Sequence, residues 1–123
     1  MEAIPLPDAS VDFIVANHVM EHVDDLELSL EELKRVLRSN GEILITIPID
    51  WNLKYSYAVD GVNDETVRLR LFGAKDHVRQ FGSDFPDILR SLAFDVEEFK
   101  NSAEFRARHR INNDEDVLFI LRK

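Results

Sequence analysis

The chain has 123 residues, 45% of them hydrophobic, a formal net charge of -9 and no cysteine. That length predicts one domain and that composition a soluble globular one, while the lack of cysteine excludes a disulfide framework and thiolate zinc ligation. The acidic balance argues against nucleic acid as a partner, because phosphate binding needs a basic face, and the apolar runs fall far short of the ~20 residues of a membrane helix.

The opening MEAIPLPDAS has no basic region and no apolar core of a secretory signal, which predicts a cytoplasmic protein. Met1 to Leu33 carries nine acidic residues and no Lys or Arg. A solvated helix face and loop account for such a run; an acidic surface that recruits a basic partner is the alternative. Val11–Ala16 (VDFIVA) is β-branched and aromatic, hence a strand, and its apolar groups on both faces predict cover on both. Asp24 or Asp25 is placed to cap the next helix, with Glu27 favourable in its first turn. Leu26, Leu30, Leu33, Val36 and Leu37 form one stripe at three- and four-residue spacing, and Lys34, Arg35 and Arg38 suit the negative end of the helix. Asn40-Gly41 predicts the helix stop, and Ile43–Ile47 a second two-sided strand ended by Pro48. This is a strand–helix–strand unit of a parallel sheet.

Further on, Glu65–Phe72 predicts a short helix. Phe72-Gly73 and Phe81-Gly82 bracket the polar tract AKDHVRQ. Ser83 is placed to cap a helix over Asp84–Leu92, with Pro86 tolerable in its first turn. Phe94–Phe99 and Val117–Leu121 predict strands, joined by a polar link in which Arg106, Arg108, His109 and Arg110 cluster. No internal repeat or domain boundary is visible, so residues 1–123 read as a single domain.

LPDASVDFIVANHVMEHVDD resembles the stretch that leads into the fourth strand of class I S-adenosylmethionine-dependent methyltransferases, in the type 11-like group. VLRSNGEILITIP is similar to the helix end, glycine turn and fifth strand of that fold. FGAKDHVRQFGSDFPDILRSLAFDVEEF and DEDVLFILRK resemble the segments that follow. The resemblance covers the C-terminal half of the methyltransferase fold, and implies S-adenosylmethionine as cofactor. It also implies that Asn17 and His18, the polar elbow after the first apolar strand, contact the cofactor's methionine end. Asp76, His77 and Arg79 fall where the family builds its acceptor side. The glycine-rich turn and the ribose-holding carboxylate of the family have no counterpart: none of Gly41, Gly61, Gly73 and Gly82 forms a G-x-G. The expectation is therefore a methyltransferase domain lacking its N-terminal cofactor-binding half, truncated and weakly active or inactive alone. The alternative is a non-catalytic remnant that binds a partner.

Plainer readings stand beside these. Asn17 and His18 also serve to satisfy a strand end, and Asp76, His77 and Arg79 to form a surface ion-pair cluster. His18-Val19-Met20-Glu21-His22 spells H-x-x-E-H, a zinc-hydrolase pattern in which two histidines one helical turn apart bind zinc and Glu21 acts as base. His18 sits at a strand end rather than mid-helix, and no third ligand stands out, so no metal site is assigned and zinc uptake is expected to stay below one equivalent.

The predicted fold is α/β: about four strands of a Rossmann-like methyltransferase half, one strand antiparallel, with the helices at Leu26–Arg38 and Asp84–Leu92 on one face because both follow right-handed crossovers. The other face needs cover. Either Asp50–Phe81 folds over it, or a second copy or a complementing chain does, which predicts a homodimer.

Overall fold

The computed structural model describes residues 3–100, 102–109 and 117–123. In chain order the elements are β1 (Val11–Asn17), α1 (Leu26–Val36), β2 (Leu37–Thr46), β3 (Tyr57–Ala58), α2 (Glu65–Phe72), β4 (Arg79–Gln80), α3 (Phe85–Ser91), β5 (Asp95–Lys100), α4 (Ala103–His109) and β6 (Val117–Arg122). Four strands form the main sheet in the order β1-β2-β6-β5, and β3 and β4 form a separate short ribbon. β1 and β2 pair in parallel, as the strand–helix–strand reading requires. β6 is antiparallel to both its neighbours and lies inside the sheet. The polar link before β6 contains α4; Arg108 there is exposed, and the side chains of Arg106, His109 and Arg110 lie outside the described residues.

α1 begins where the sequence puts its cap. Asp25 takes an extended backbone and its carboxylate accepts a hydrogen bond from Leu28 N at 2.9 Å. Leu30, Leu33 and Val36 are buried, and each such side chain contributes about 1.5–3 kcal/mol on leaving water. The helix ends at Val36, not at Gly41. Leu37 turns to an extended backbone and drops fully into the core, so the chain enters β2 at once. Arg38 leaves the predicted last turn and pairs with Asp12 at 2.6 Å. Gly41 therefore serves close approach rather than a left-handed cap: a Cβ there would meet Leu37 Cδ1 at 2.7 Å and Asp12 O at 2.8 Å. The left-handed glycine stop occurs instead at Gly73, φ 78°, which closes α2 after the Asp64 cap. Ser83 does not cap α3. Asp84 occupies that position, and its carboxylate holds Ser56 N and Oγ at 2.8 and 2.6 Å.

One face of the sheet is packed. Ala16, Ile43, Ile45, Val117, Phe119 and Leu121 meet Leu30 and Leu33 of α1 and Phe85 and Leu89 of α3, so both helices cover the same face as predicted. The opposite face, open among the described residues, is apolar toward the carboxyl end of β1 and carries the ion-paired strip Glu42–Arg122–Glu97 toward the other end. Val15 stands beside Leu44, Leu44 beside Ile120, and Phe99 beside Leu118, and residues opposite one another in register share a face. Phe13 and Val15 are 52% and 62% exposed, and Phe99 47%. Asp50–Phe81 does not cover this face. Its end, Phe81, packs into the helix-side core against Phe85, with ring centroids 4.7 Å apart. Residues 76–79 run beside the β1–α1 loop, where Val78 N donates to Glu21 O at 3.0 Å, and the stretch from Asp50 to Ala58 bonds to residues 79–84.

The N-terminal arm is tied to α1 by one carboxylate. Glu32 accepts from Arg35 Nε at 2.7 Å and from Ile4 N at 2.9 Å, and Arg35 also reaches Asp8 at 2.6 Å. The Arg35 hydrogen bond, seconded by the Ile4 amide, lowers the Glu32 pKa from 4.5 to about 2. A depressed carboxylate pKa contributes stability above its unfolded value that is lost as pH falls through its folded one. Urea midpoints of the chain should therefore decline between pH 4.5 and about 2. Glu32→Gln should flatten that part of the profile and leave the midpoint near neutrality lower.

Candidate functional site

β1 delivers its last residues to the carboxyl edge of the sheet, the side on which open α/β folds bind ligands. There Asn17 Oδ1 accepts a hydrogen bond from the hydroxyl of Thr46 at the end of β2, and His18 N donates to Thr46 O at 2.9 Å. His18 has φ 51°, a left-handed conformation that a β-carbon disfavours, so the elbow is a sharp turn out of the sheet. Its ring is 47% exposed, and Nδ1 lies 3.2 Å from Glu21 Oε1. Asn17 and His18 thus project from the same edge. Thr46 joins them; its signal in the sequence is the one hydroxyl within the apolar run Ile43–Ile47.

The residues from 18 to 24 are turn and loop, not helix. The helical spacing on which the zinc-hydrolase reading of H-x-x-E-H depends is therefore absent. Instead His22 N donates to Val19 O at 3.0 Å, and the turn tucks Glu21 inward until it is 1% exposed. The tract after α2 comes up against this turn. His22 Nδ1 lies 3.1 Å from Asp76 O, and the His22 and His77 rings meet edge to face at 5.0 Å. The histidine at 77 is the neighbour that sequence reasoning did not join to Glu21, since it enters from a separate segment with no spacing rule to connect them.

Asp76, His77 and Arg79, expected together on the acceptor side, do not stay together. Asp76 and His77 face His22. Arg79 turns away and is buried, its Nη2 donating to Val23 O and, at 2.9 Å, to Asp24 O. Burial lowers its pKa, against the pull of Asp25 and Asp24. Arg79 therefore straps β4 to the β1–α1 loop. It also lines a pocket of 170 Å³ with Asp24, Asp60, Arg68 and Phe72, which includes neither Asn17 nor His18.

Residues 1–45, which span β1, α1 and most of β2, match a family model described as Methyltransferase domain. Over 45 residues the chain is 44% identical to the Mycobacterium tuberculosis protein named Probable S-adenosylmethionine-dependent methyltransferase Rv3030, which is 37% of this chain and 16% of that protein. The fold is similar to that of an S-adenosylmethionine-dependent methyltransferase of Thermotoga maritima, at TM-score 0.61 and 20% identity, covering 98% of this chain and 59% of the other. It is also similar to the Burkholderia thailandensis 1,6-didemethyltoxoflavin-N1-methyltransferase with bound S-adenosylhomocysteine, at TM-score 0.62 and 16% identity, covering 94% and 45%. By sequence over its first third and by fold over nearly all its length, the chain is similar to class I S-adenosylmethionine-dependent methyltransferases, and S-adenosylmethionine is the cofactor that this resemblance carries. Among the described residues no helix is long and apolar enough to cross a membrane.

Proposed function

We propose that this chain carries the methionine-end and acceptor portion of an S-adenosylmethionine-dependent methyltransferase site, and that the ribose and adenine contacts come from elements that pair with β1. The observation that carries this is the Asn17–His18 elbow at the carboxyl end of an edge strand whose neighbouring sheet face is open and apolar. Asn17 and His18 would bind the amino acid end of the cofactor by hydrogen bonds, with Thr46 fixing the Asn17 amide. Asp76 and His77 would flank the acceptor, while Arg79 holds the loop beneath them.

Without the glycine turn and the ribose carboxylate, two polar anchors at ~1–3 kcal/mol each are missing, which weakens cofactor binding about thirtyfold to twenty-thousandfold. Isothermal titration of the 123-residue chain should detect no micromolar binding of S-adenosylmethionine. In an NMR titration, millimolar S-adenosylhomocysteine should shift the amide resonances of Asn17 and His18 first. A micromolar dissociation constant would overturn the division of the site. Shifts confined to other regions would overturn the role given to the elbow.

The open sheet face supports a second part of the reading. Covered by complementing elements it completes the sheet; otherwise a second copy of the chain covers it, as a two-fold homodimer.

A further inference from the structure

Glu21 is the least comfortable group on this surface. Its carboxylate is 1% exposed, Oε1 is engaged by His18, and Oε2 has no partner among the described residues. A buried carboxylate oxygen left unpaired is expensive. Among the described residues the ion pairs of Glu21 are to histidines alone, His18 at 3.2 Å and His22 at 4.0 Å, neither carrying a fixed charge. No Lys or Arg ion pair reaches Glu21 among the described residues.

His22 faces Glu21 in a defined tautomer. Its Nδ1 lies against the carbonyl oxygen of Asp76, which can only accept, so Nδ1 carries a proton, and Nε2, 4.0 Å from Glu21 Oε1, is the nitrogen left to serve as a ligand in the neutral ring. A backbone carbonyl fixing one imidazole nitrogen while the other points at an anionic ligand is the arrangement that orients metal-binding histidines. His77 supplies a second imidazole across the edge-to-face contact with His22. One ligand atom from each of Glu21, His22 and His77 lies within 4.8 Å of the others, a spread that small side-chain rotations would close onto bonds of about 2.0–2.2 Å.

We propose that Glu21, His22 and His77 bind a borderline divalent cation of the zinc class. Two nitrogens and one oxygen suit zinc or cobalt; calcium and magnesium prefer oxygen ligands alone. The ion neutralises the buried carboxylate and takes up its free Oε2. It clips the tract before β4 to the β1–α1 loop, next to the His18 elbow. Three protein ligands leave one coordination position open to solvent, on the side where the His22 side chain is 35% exposed. This inference is independent of methyl transfer, because it needs no cofactor and no second half of the site.

The test uses tag-free chain stripped with chelator and titrated with cobalt(II), then zinc. Intense visible bands should develop to one equivalent of cobalt, vanish on zinc addition, and zinc should raise the thermal midpoint. Glu21→Gln keeps the shape of the side chain, and His77→Ala removes a ring at the edge of the turn. Each should weaken binding by more than the ~10–100-fold that loss of an outer-shell partner costs, whereas His18→Ala, outside the ligand set, should stay within that range. Circular dichroism establishes that the variants are folded. Absence of the cobalt bands, or affinity unchanged in either Glu21→Gln or His77→Ala, would overturn the proposal.

Discussion

Phe119→Ala should lower the free energy of unfolding by about 3–5 kcal/mol, against the 5–15 kcal/mol that holds a typical domain together. Phe119 is fully buried at the centre of β6, itself the third strand of four. Its ring meets Phe85 of α3 edge to face at 5.3 Å, and Phe85 in turn meets Phe81 at 4.7 Å. Removing it takes one end from an aromatic chain that joins the sheet to α3 and to the segment before it. β6 itself is pinned by pairing on both sides, which limits how far the void can close, and cavity costs are largest where closure is least. Phe99→Ala is the control. Phe99 is the same residue type in the neighbouring strand, but it lies half-exposed on the open face and should change stability by no more than about 0.5 kcal/mol. Urea denaturation of both variants reads the difference directly. Equal losses would mean that the open face is packed in solution as tightly as the helical one.

Val15→Lys should convert a self-associated chain to a monomer of 14.3 kDa on size exclusion with light scattering. Val15 is the most exposed apolar residue of β1, on the face opposite the helices and beside an unpaired strand edge. A lysine there keeps β1 in place, since nothing on the buried side moves, but sets a charge in any interface that uses the face or the edge. Ile14→Lys, one residue earlier, should instead unfold the chain: Ile14 pairs with Ile43 on the helix-covered face and packs against the core. Glu31→Lys, on the outer face of α1, should do neither. A wild-type chain that elutes as a monomer would refute the homodimer and leave the face for a complementing partner.

The contrast between Ile14 and Val15 also shows what could be read from letters. The apolarity of VDFIVA on both sides said that two covers were needed, and the crossover rule said that α1 and α3 would supply one of them together. Beyond the short helix Glu65–Phe72, nothing local says where Asp50–Phe81 packs, because its end is placed by distant partners, Glu21, Val23 and Asp24. The helix stop was misread for a related reason. Asn-Gly is a strong local signal, but burying Leu37 fully in the core outweighed it, and the chain left the helix at Val36, two residues before the expected Arg38. At the site, the turn out of β1 was legible as a polar pair after an apolar strand, whereas a ligand role for Asn17 and His18 came only from the family resemblance. The meeting of Glu21, His22 and His77 was not, since it depends on a turn folding inward and a second segment arriving to meet it.

The position of β6 sets an order of events during synthesis. β2 and β5 are not neighbours; each offers one edge to β6, which is translated after both. At ~5–20 residues per second, the stretch between Thr46 and Val117 leaves the β2 edge waiting roughly 4–14 s on the ribosome, with Ile43 and Ile45 lacking the aromatic neighbour that later buries them. The nascent chain thus carries a temporary sticky ribbon in its middle. A chaperone or a slow codon near the sequence for β6 would act on that interval, and on no property of the finished protein.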